Sequence, residues 1–131
     1  MNALTIVHET IERFVRDGDV CIDATAGRGY DTAFLCELVG KNGKVIAMDI
    51  QQDAVDSTNA LLESKGLCAQ VVLDSHANMA KYAEKDSVRC IVFNLGYLPK
   101  GNHGIYTHFE STKRAIESGL ELLEKGGLMC V

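Results

Sequence analysis

No stretch of the chain approaches the run of about eighteen consecutive apolar residues that a membrane-spanning helix needs. The N-terminus also lacks a cationic segment followed by an apolar one, the pattern of a secretory signal. Both absences lead us to expect a soluble, cytoplasmic protein without a membrane partner. There is no C-x-x-C pair, and the five cysteines (Cys21, Cys36, Cys68, Cys90 and Cys130) are an odd number spread through strand-like and helix-like runs. That argues against a disulfide framework and suits a reducing compartment, where thiols act as small hydrophobes. A metal site is not expected either, since His103 and His108 lack partners at ligand spacing. An excess of positive charge is missing: the net charge is -5, which gives no global field for nucleic acid. Any RNA contact must then be a local patch. Internal repeats, low-complexity tracts and linkers are absent, so residues 1–131 read as one domain with enough apolar content to bury a core.

The most informative stretch runs from Asp19 to Thr32, D-V-C-I-D-A-T-A-G-R-G-Y-D-T. A short β-branched run (Val20, Cys21, Ile22) enters a glycine-rich segment, and Asp31-Thr32 offer N-cap chemistry for the amphipathic run that follows. This predicts strand, tight loop and helix, with the loop at the carboxyl end of a parallel strand, where α/β sheets bind ligands. Gly27 and Gly29 let the backbone approach a ligand closely. Two further absences narrow the ligand. The third glycine of the dinucleotide pattern G-x-G-x-x-G is missing, and a carboxylate, Asp31, stands where a pyrophosphate would sit. No lysine followed by Ser or Thr closes a P-loop. The run resembles instead the first motif of class I S-adenosylmethionine methyltransferases, in which an acid (Asp23) ends the strand before a G-x-G turn. A sulfonium amino acid is cationic and carries no phosphate, so carboxylates beside the loop are favourable. Plain turn chemistry is the alternative reading.

Along the rest of the chain, Val7, Ile11, Phe14 and Val15 recur at helical spacing over residues 4–16. A helix is expected from about Thr32 to Val39, then a turn at Gly40-Lys41-Asn42-Gly43 and a strand over Lys44–Asp49. Asp49 lies about twenty residues after the loop, where nucleotide-binding folds place the acid that accepts ribose hydroxyls; an ordinary N-cap is the other possibility. Gln51 would then supply an amide to ribose or base. A helix over residues 53–65, with Val55, Leu61 and Leu62 inward, precedes a strand over Ala69–Leu73. That strand closes on Asp74-Ser75-His76, so Asp23, Asp49 and Asp74 all end parallel strands and should border one crevice.

The strand over Val88–Phe93 delivers Asn94-Leu95-Gly96-Tyr97-Leu98-Pro99. This resembles the N-P-P-Y type signature of methyltransferases acting on amino nitrogens, with Leu95-Gly96 in place of the prolines. There the Asn side-chain oxygen and a following carbonyl accept the substrate N–H groups while the aromatic packs on the amine. Asn94 as a strand cap and Tyr97 as a packing residue form the plainer alternative. Lys100 to Gly104 reads as an open, partly basic loop. A helix over residues 107–124 carries Phe109, Ala115, Ile116, Leu120 and Leu123 inward, and Leu128–Val131 start a fifth strand.

Together D-A-T-A-G-x-G-x-D-T, M-D-I-Q, D-S-H and N-L-G-Y-L-P-x-G resemble the small methyltransferase family formerly labelled rRNA methylases, which includes the MnmM (YtqB) enzymes of Gram-positive bacteria. The match covers essentially the whole chain. The resemblance implies an α/β fold, a Rossmann-like class I methyltransferase sheet, mostly parallel, with helices on both faces. Such a sheet continues past strand five, where this chain stops, so a C-terminally truncated domain is expected, and its open strand edge makes a homodimer conceivable. The implied activity is methylation by S-adenosylmethionine of the aminomethyl nitrogen of 5-aminomethyl-2-thiouridine at the tRNA wobble position, giving 5-methylaminomethyl-2-thiouridine. The anticodon stem-loop would be the partner. Implied cofactor contacts come from Asp23, Gly27, Arg28, Gly29, Asp31, Asp49, Gln51, Ser75, His76 and Asn94, with Asn94 and Tyr97 as catalytic residues. One departure is Arg28, where the family more often has Asn. An rRNA or small-molecule acceptor, or a cofactor-binding fragment without activity, are the competing readings. Lys100, His103, Lys113 and Arg114 would meet an anticodon backbone, or form a solvated helix face.

Overall fold

A computed structural model describes residues 3–94 and 102–131, with side chains from 5–94 and 110–131. The chain runs α1 (Ala3–Phe14), β1 (Val20–Asp23), α2 (Tyr30–Val39), β2 (Lys44–Asp49), α3 (Gln52–Lys65), β3 (Gln70–Leu73), a short 3-10 segment (His76–Lys81), β4 (Val88–Val92), α4 (Asn102–Leu122) and β5 (Leu123–Cys130). The strands form one sheet in the order β3-β2-β1-β4-β5, and every neighbouring pair is parallel.

Why the strands read as continuous apolar runs follows from the two cores. Side chains alternate across a strand, and both faces of this sheet are covered. Cys21, Val45, Cys90 and Val92 point to one face, beneath Ile11 of α1, Leu35 and Val39 of α2 and Leu62 of α3. Ile22, Ile46, Met48 and Ile91 point to the other, beneath Met79 of the 3-10 segment and Ala115 and Leu122 of α4. Burial pushes the Cys21 thiol up to about 12 and the Cys36 thiol up to about 11, so both are neutral apolar side chains at ordinary pH. No helix among the described residues is long and apolar enough to cross a membrane.

Four expectations shift. α4 begins at Asn102, within the stretch expected as an open loop and ahead of the expected helix start at residue 107. α2 begins at Tyr30, capped by Gly29 in the left-handed region (φ 91°), and not at Asp31-Thr32. The Thr32 hydroxyl is drawn inward to Asp23 and is unavailable as a cap. Leu120, expected inward, is 61% exposed. The buried line of α4 runs through Ala115, Gly119 and Leu122, and Leu120 lies one residue, about 100° of helix rotation, off it. β5 starts at Leu123, because pairing of Leu123 with Val88 and a register shift past Arg89 extend the strand through Gly126.

Arg89 ties β4 to the end of α1. Its guanidinium lies 3.7 Å from the Phe14 ring centroid and its Nη2 donates to the Phe14 carbonyl at 3.2 Å. Asp19 and Glu124 stand 3.7 Å away on either side. Replacing it with methionine keeps the aliphatic stem and should cost about 1–2 kcal/mol. Thermal unfolding should then shift down by several degrees; an unchanged midpoint would mean that desolvation of the guanidinium cancels its contacts.

Candidate functional site

The strand order reverses between β1 and β4, which leaves a crevice at their carboxyl ends. The glycine loop fills the near side of it. Ala24 donates to the Val92 carbonyl and Ala26 to the Met48 carbonyl, so the loop continues the ladder on both sides before turning away. Gly29 then closes a tight turn by donating to the Ala26 carbonyl. A Cβ on Gly29 would come 2.9 Å from the Thr58 Cα, on top of the positive φ; only glycine lets α3 lie this close. Thr58 is buried on α3 and donates its hydroxyl to the Gly27 carbonyl at 3.2 Å.

Asp49, at the end of β2, meets the same loop. Its Oδ2 accepts from the Gly27 N–H at 3.0 Å and its Oδ1 from the Gln51 N–H at 3.0 Å. The carboxylate is half-buried, and each oxygen keeps a further acceptor direction. Gln51 itself is exposed, with no side-chain bond to the helix it caps. Asp31, in the first turn of α2, accepts at Oδ1 from His8 Nε2 on α1 at 2.9 Å. Arg28 is exposed at the loop tip.

Asp23 does not face the crevice, contrary to expectation. It is fully buried, with Oδ2 accepting from the Thr32 hydroxyl at 2.6 Å and Oδ1 from the Thr25 N–H at 3.1 Å. The pairing register explains this, since Asp23 lies level with Ala47, two residues below Asp49. It is a keel under the loop. Burial, reinforced by repulsion from Asp31 and Asp49, raises its carboxyl from 3.8 to about 6. Asp74 is also spent on structure. The Tyr82 hydroxyl (2.6 Å) and Asn78 amide (2.8 Å) donate to it, and these bonds hold its carboxyl below the ordinary range.

The Asp74 N–H bonds the Asp49 carbonyl, which sets the end of β3, with Ser75 and His76 following it, beside the end of β2. The Ser75 hydroxyl accepts from the Ala77 N–H, and the His76 ring packs 5.5 Å from that of Phe93. Asn94 is exposed on the far side, its N–H donating to the Thr25 hydroxyl at 2.6 Å. Tyr97 and Lys100, like the side chain of His103, lie outside the described residues; Lys113 and Arg114 are exposed on α4. Sequence reading missed the supporting hydroxyls of Thr25, Thr32 and Thr58 and the reach of His8. Only Thr58 left a signal, a polar residue in line with Val55 and Leu62 on the buried side of α3. A groove of about 600 Å³ beside Val20, Lys44 and Tyr82 opens where β1 and β2 begin, away from this crevice.

A parallel sheet in this order, with a glycine loop and an acid at adjoining strand ends, is a Rossmann-like methyltransferase fold. Residues 45–131 match the family model described as "Putative rRNA methylase". A solved structure from Clostridium thermocellum, described as a "putative rRNA-methylase", is 39% identical, covering 98% of this chain and 67% of that one, with TM-score 0.86. SMU.1697c of Streptococcus mutans, solved in complex with SAH, is 34% identical over 98% of this chain and 72% of that one, with TM-score 0.83. The chloroplastic tRNA (mnm(5)s(2)U34)-methyltransferase of Arabidopsis thaliana is 36% identical over 97% of this chain and 50% of its own length. The chain therefore belongs to the rRNA methylase family of small methyltransferases. It spans about half the length of the Arabidopsis relative.

Proposed function

We propose that the crevice binds S-adenosylmethionine and that the chain serves transfer of its methyl group to an RNA, namely to the aminomethyl nitrogen of 5-aminomethyl-2-thiouridine at the tRNA wobble position. The cofactor reading rests on fit. Asp49 offers acceptor directions beside a glycine backbone, as a ribose diol requires, while Ile50 (59% exposed) and Leu73 (53% exposed) leave apolar surface next to it for a base. Gln51, Ser75 and His76 complete the adenosine side, and Gly27, Arg28, Gly29 and Asp31 the cationic amino-acid side. When bound, the cofactor supplies an electrophilic methyl on a sulfonium.

The observation that carries the acceptor is Asn94, presented at the switch point with its backbone fixed to the loop through Thr25. An amide oxygen there accepts an N–H of the incoming amine and aims the nitrogen lone pair at the methyl. Held beside Asp49 and the glycine loop, the cofactor would supply its methyl to that nitrogen and leave as SAH, the amine's proton passing to solvent. Placement and exclusion of water supply most of the catalysis. The name of the Arabidopsis relative supports this acceptor, and Tyr97 is proposed to pack on the amine.

The test is nucleoside mass spectrometry of tRNA bearing 5-aminomethyl-2-thiouridine after incubation with the chain and S-adenosylmethionine, beside calorimetric titration of the cofactor. A gain of one methyl on that nucleoside is expected. Methylation of rRNA instead would transfer the same chemistry to the acceptor named in the family description.

A further inference from the structure

We propose that His8 is a positioning residue for the cofactor's amino-acid end, acting through Asp31, so that α1 forms part of the binding site. The inference deepens the cofactor reading above and rests on it. His8 belongs to a helix whose neighbouring Val7 and Ile11 pack into the core, so its own place on the helix surface is fixed. Two contacts then set the ring. It stacks on Phe34 at 4.5 Å with an interplanar angle of 20°, and Nε2 meets Asp31 Oδ1 at 2.9 Å. Asp31 and Phe34 are three residues apart on α2 and lie on one face of its first turn, which is why one imidazole engages both. An ionised carboxylate only accepts, so Nε2 carries the proton in this bond.

The geometry restricts the rotation of Asp31. Oδ1 is committed to His8, while Oδ2 receives no hydrogen bond among the described residues. Asp31 stands two residues beyond Gly29, in the first turn of the helix that follows the glycine loop, and its side chain is partly exposed. A carboxylate already held in one orientation binds an ammonium without having to be ordered at the moment of binding. Neither His8 nor Phe34 belongs to the glycine-loop motif, and His8 lies 23 residues upstream of its partner. The contact couples the first helix to occupancy of the crevice.

His8→Phe keeps a ring on Phe34 and removes the donor, and His8→Gln places an amide nitrogen near the Nε2 position. Calorimetric titration with S-adenosylmethionine, and with 5′-methylthioadenosine, which lacks the amino-acid tail, separates the roles. In His8→Phe the dissociation constant for S-adenosylmethionine should rise about 5–10-fold while that for methylthioadenosine stays unchanged. His8→Gln should recover most of the loss. A His8→Phe variant that binds both ligands as the wild type does, or weakens both equally, overturns the positioning role while leaving the crevice reading intact. Failure of the wild type to bind either ligand overturns the cofactor reading, and this inference with it.

Discussion

An Asn94→Ala variant should turn over about 10²–10³-fold more slowly than the wild type, the loss typical of removing one polar group that acts on the reacting centre. Its affinity for S-adenosylmethionine should change by less than about twofold, a difference well under 1 kcal/mol. The separation follows from where the residue sits. The Phe93 N–H bonds the Cys130 carbonyl and its ring is buried in the second core, so the backbone up to Asn94 is fixed by the sheet. The Asn94 N–H, held by Thr25, survives substitution, and the glycine loop therefore keeps its shape. Only the exposed side chain disappears. Since the proposed cofactor contacts on Asp49, Asp31 and the loop are untouched, the cost should fall on the step in which the amine is aimed. Steady-state turnover and calorimetry on the same preparation give the comparison; parallel losses in turnover and cofactor affinity would show that Asn94 shapes the cofactor pocket and does not hold the amine.

What the sequence revealed of this site was its backbone frame. Strand ends closing on Asp23 and Asp49, a glycine turn and an amide at residue 94 are local patterns, and a parallel sheet converts them into neighbours without further information. The direction in which each carboxylate points is not local. Asp23 and Asp49 look equivalent in sequence, yet a two-residue offset in register buries the first and presents the second. Asp74 is turned into the 3-10 segment by Tyr82, eight residues on, a contact that no periodicity announces. The start of β5 was hidden for a similar reason, because apolar helical spacing continues to Leu122 and only the long-range partner Val88 converts Leu123 to strand. His8 lies in an ordinary amphipathic helix, and its role depends on the docking of that helix against α2.

Burial of Asp23 should make folding stability fall by about 3 kcal/mol as pH rises from about 4 to about 6. The carboxyl titrates at about 6 in the folded protein against 3.8 ordinarily, with burial as the main cause. Below the lower value both states hold the proton and the residue adds no penalty. Between the two values the native state keeps a proton that the unfolded chain has lost, so stability declines with pH. Above about 6 the native carboxylate is charged and the full cost remains. Urea unfolding of wild type and Asp23→Asn across this range isolates the effect, because other titrating groups cancel in the difference between the two curves. Asparagine preserves size and an acceptor for the Thr25 N–H. The advantage of the wild type over the variant should shrink by about 3 kcal/mol between the limits, and a flat difference would mean that water reaches the carboxylate. A buried charge that lowers stability at neutral pH needs a compensating use. Here it holds Thr32 and Thr25 in place, and through the Thr25 hydroxyl it sets the position of Asn94. Loss of turnover in Asp23→Asn with the loop still able to bind cofactor would tie that cost to the aim of the amide.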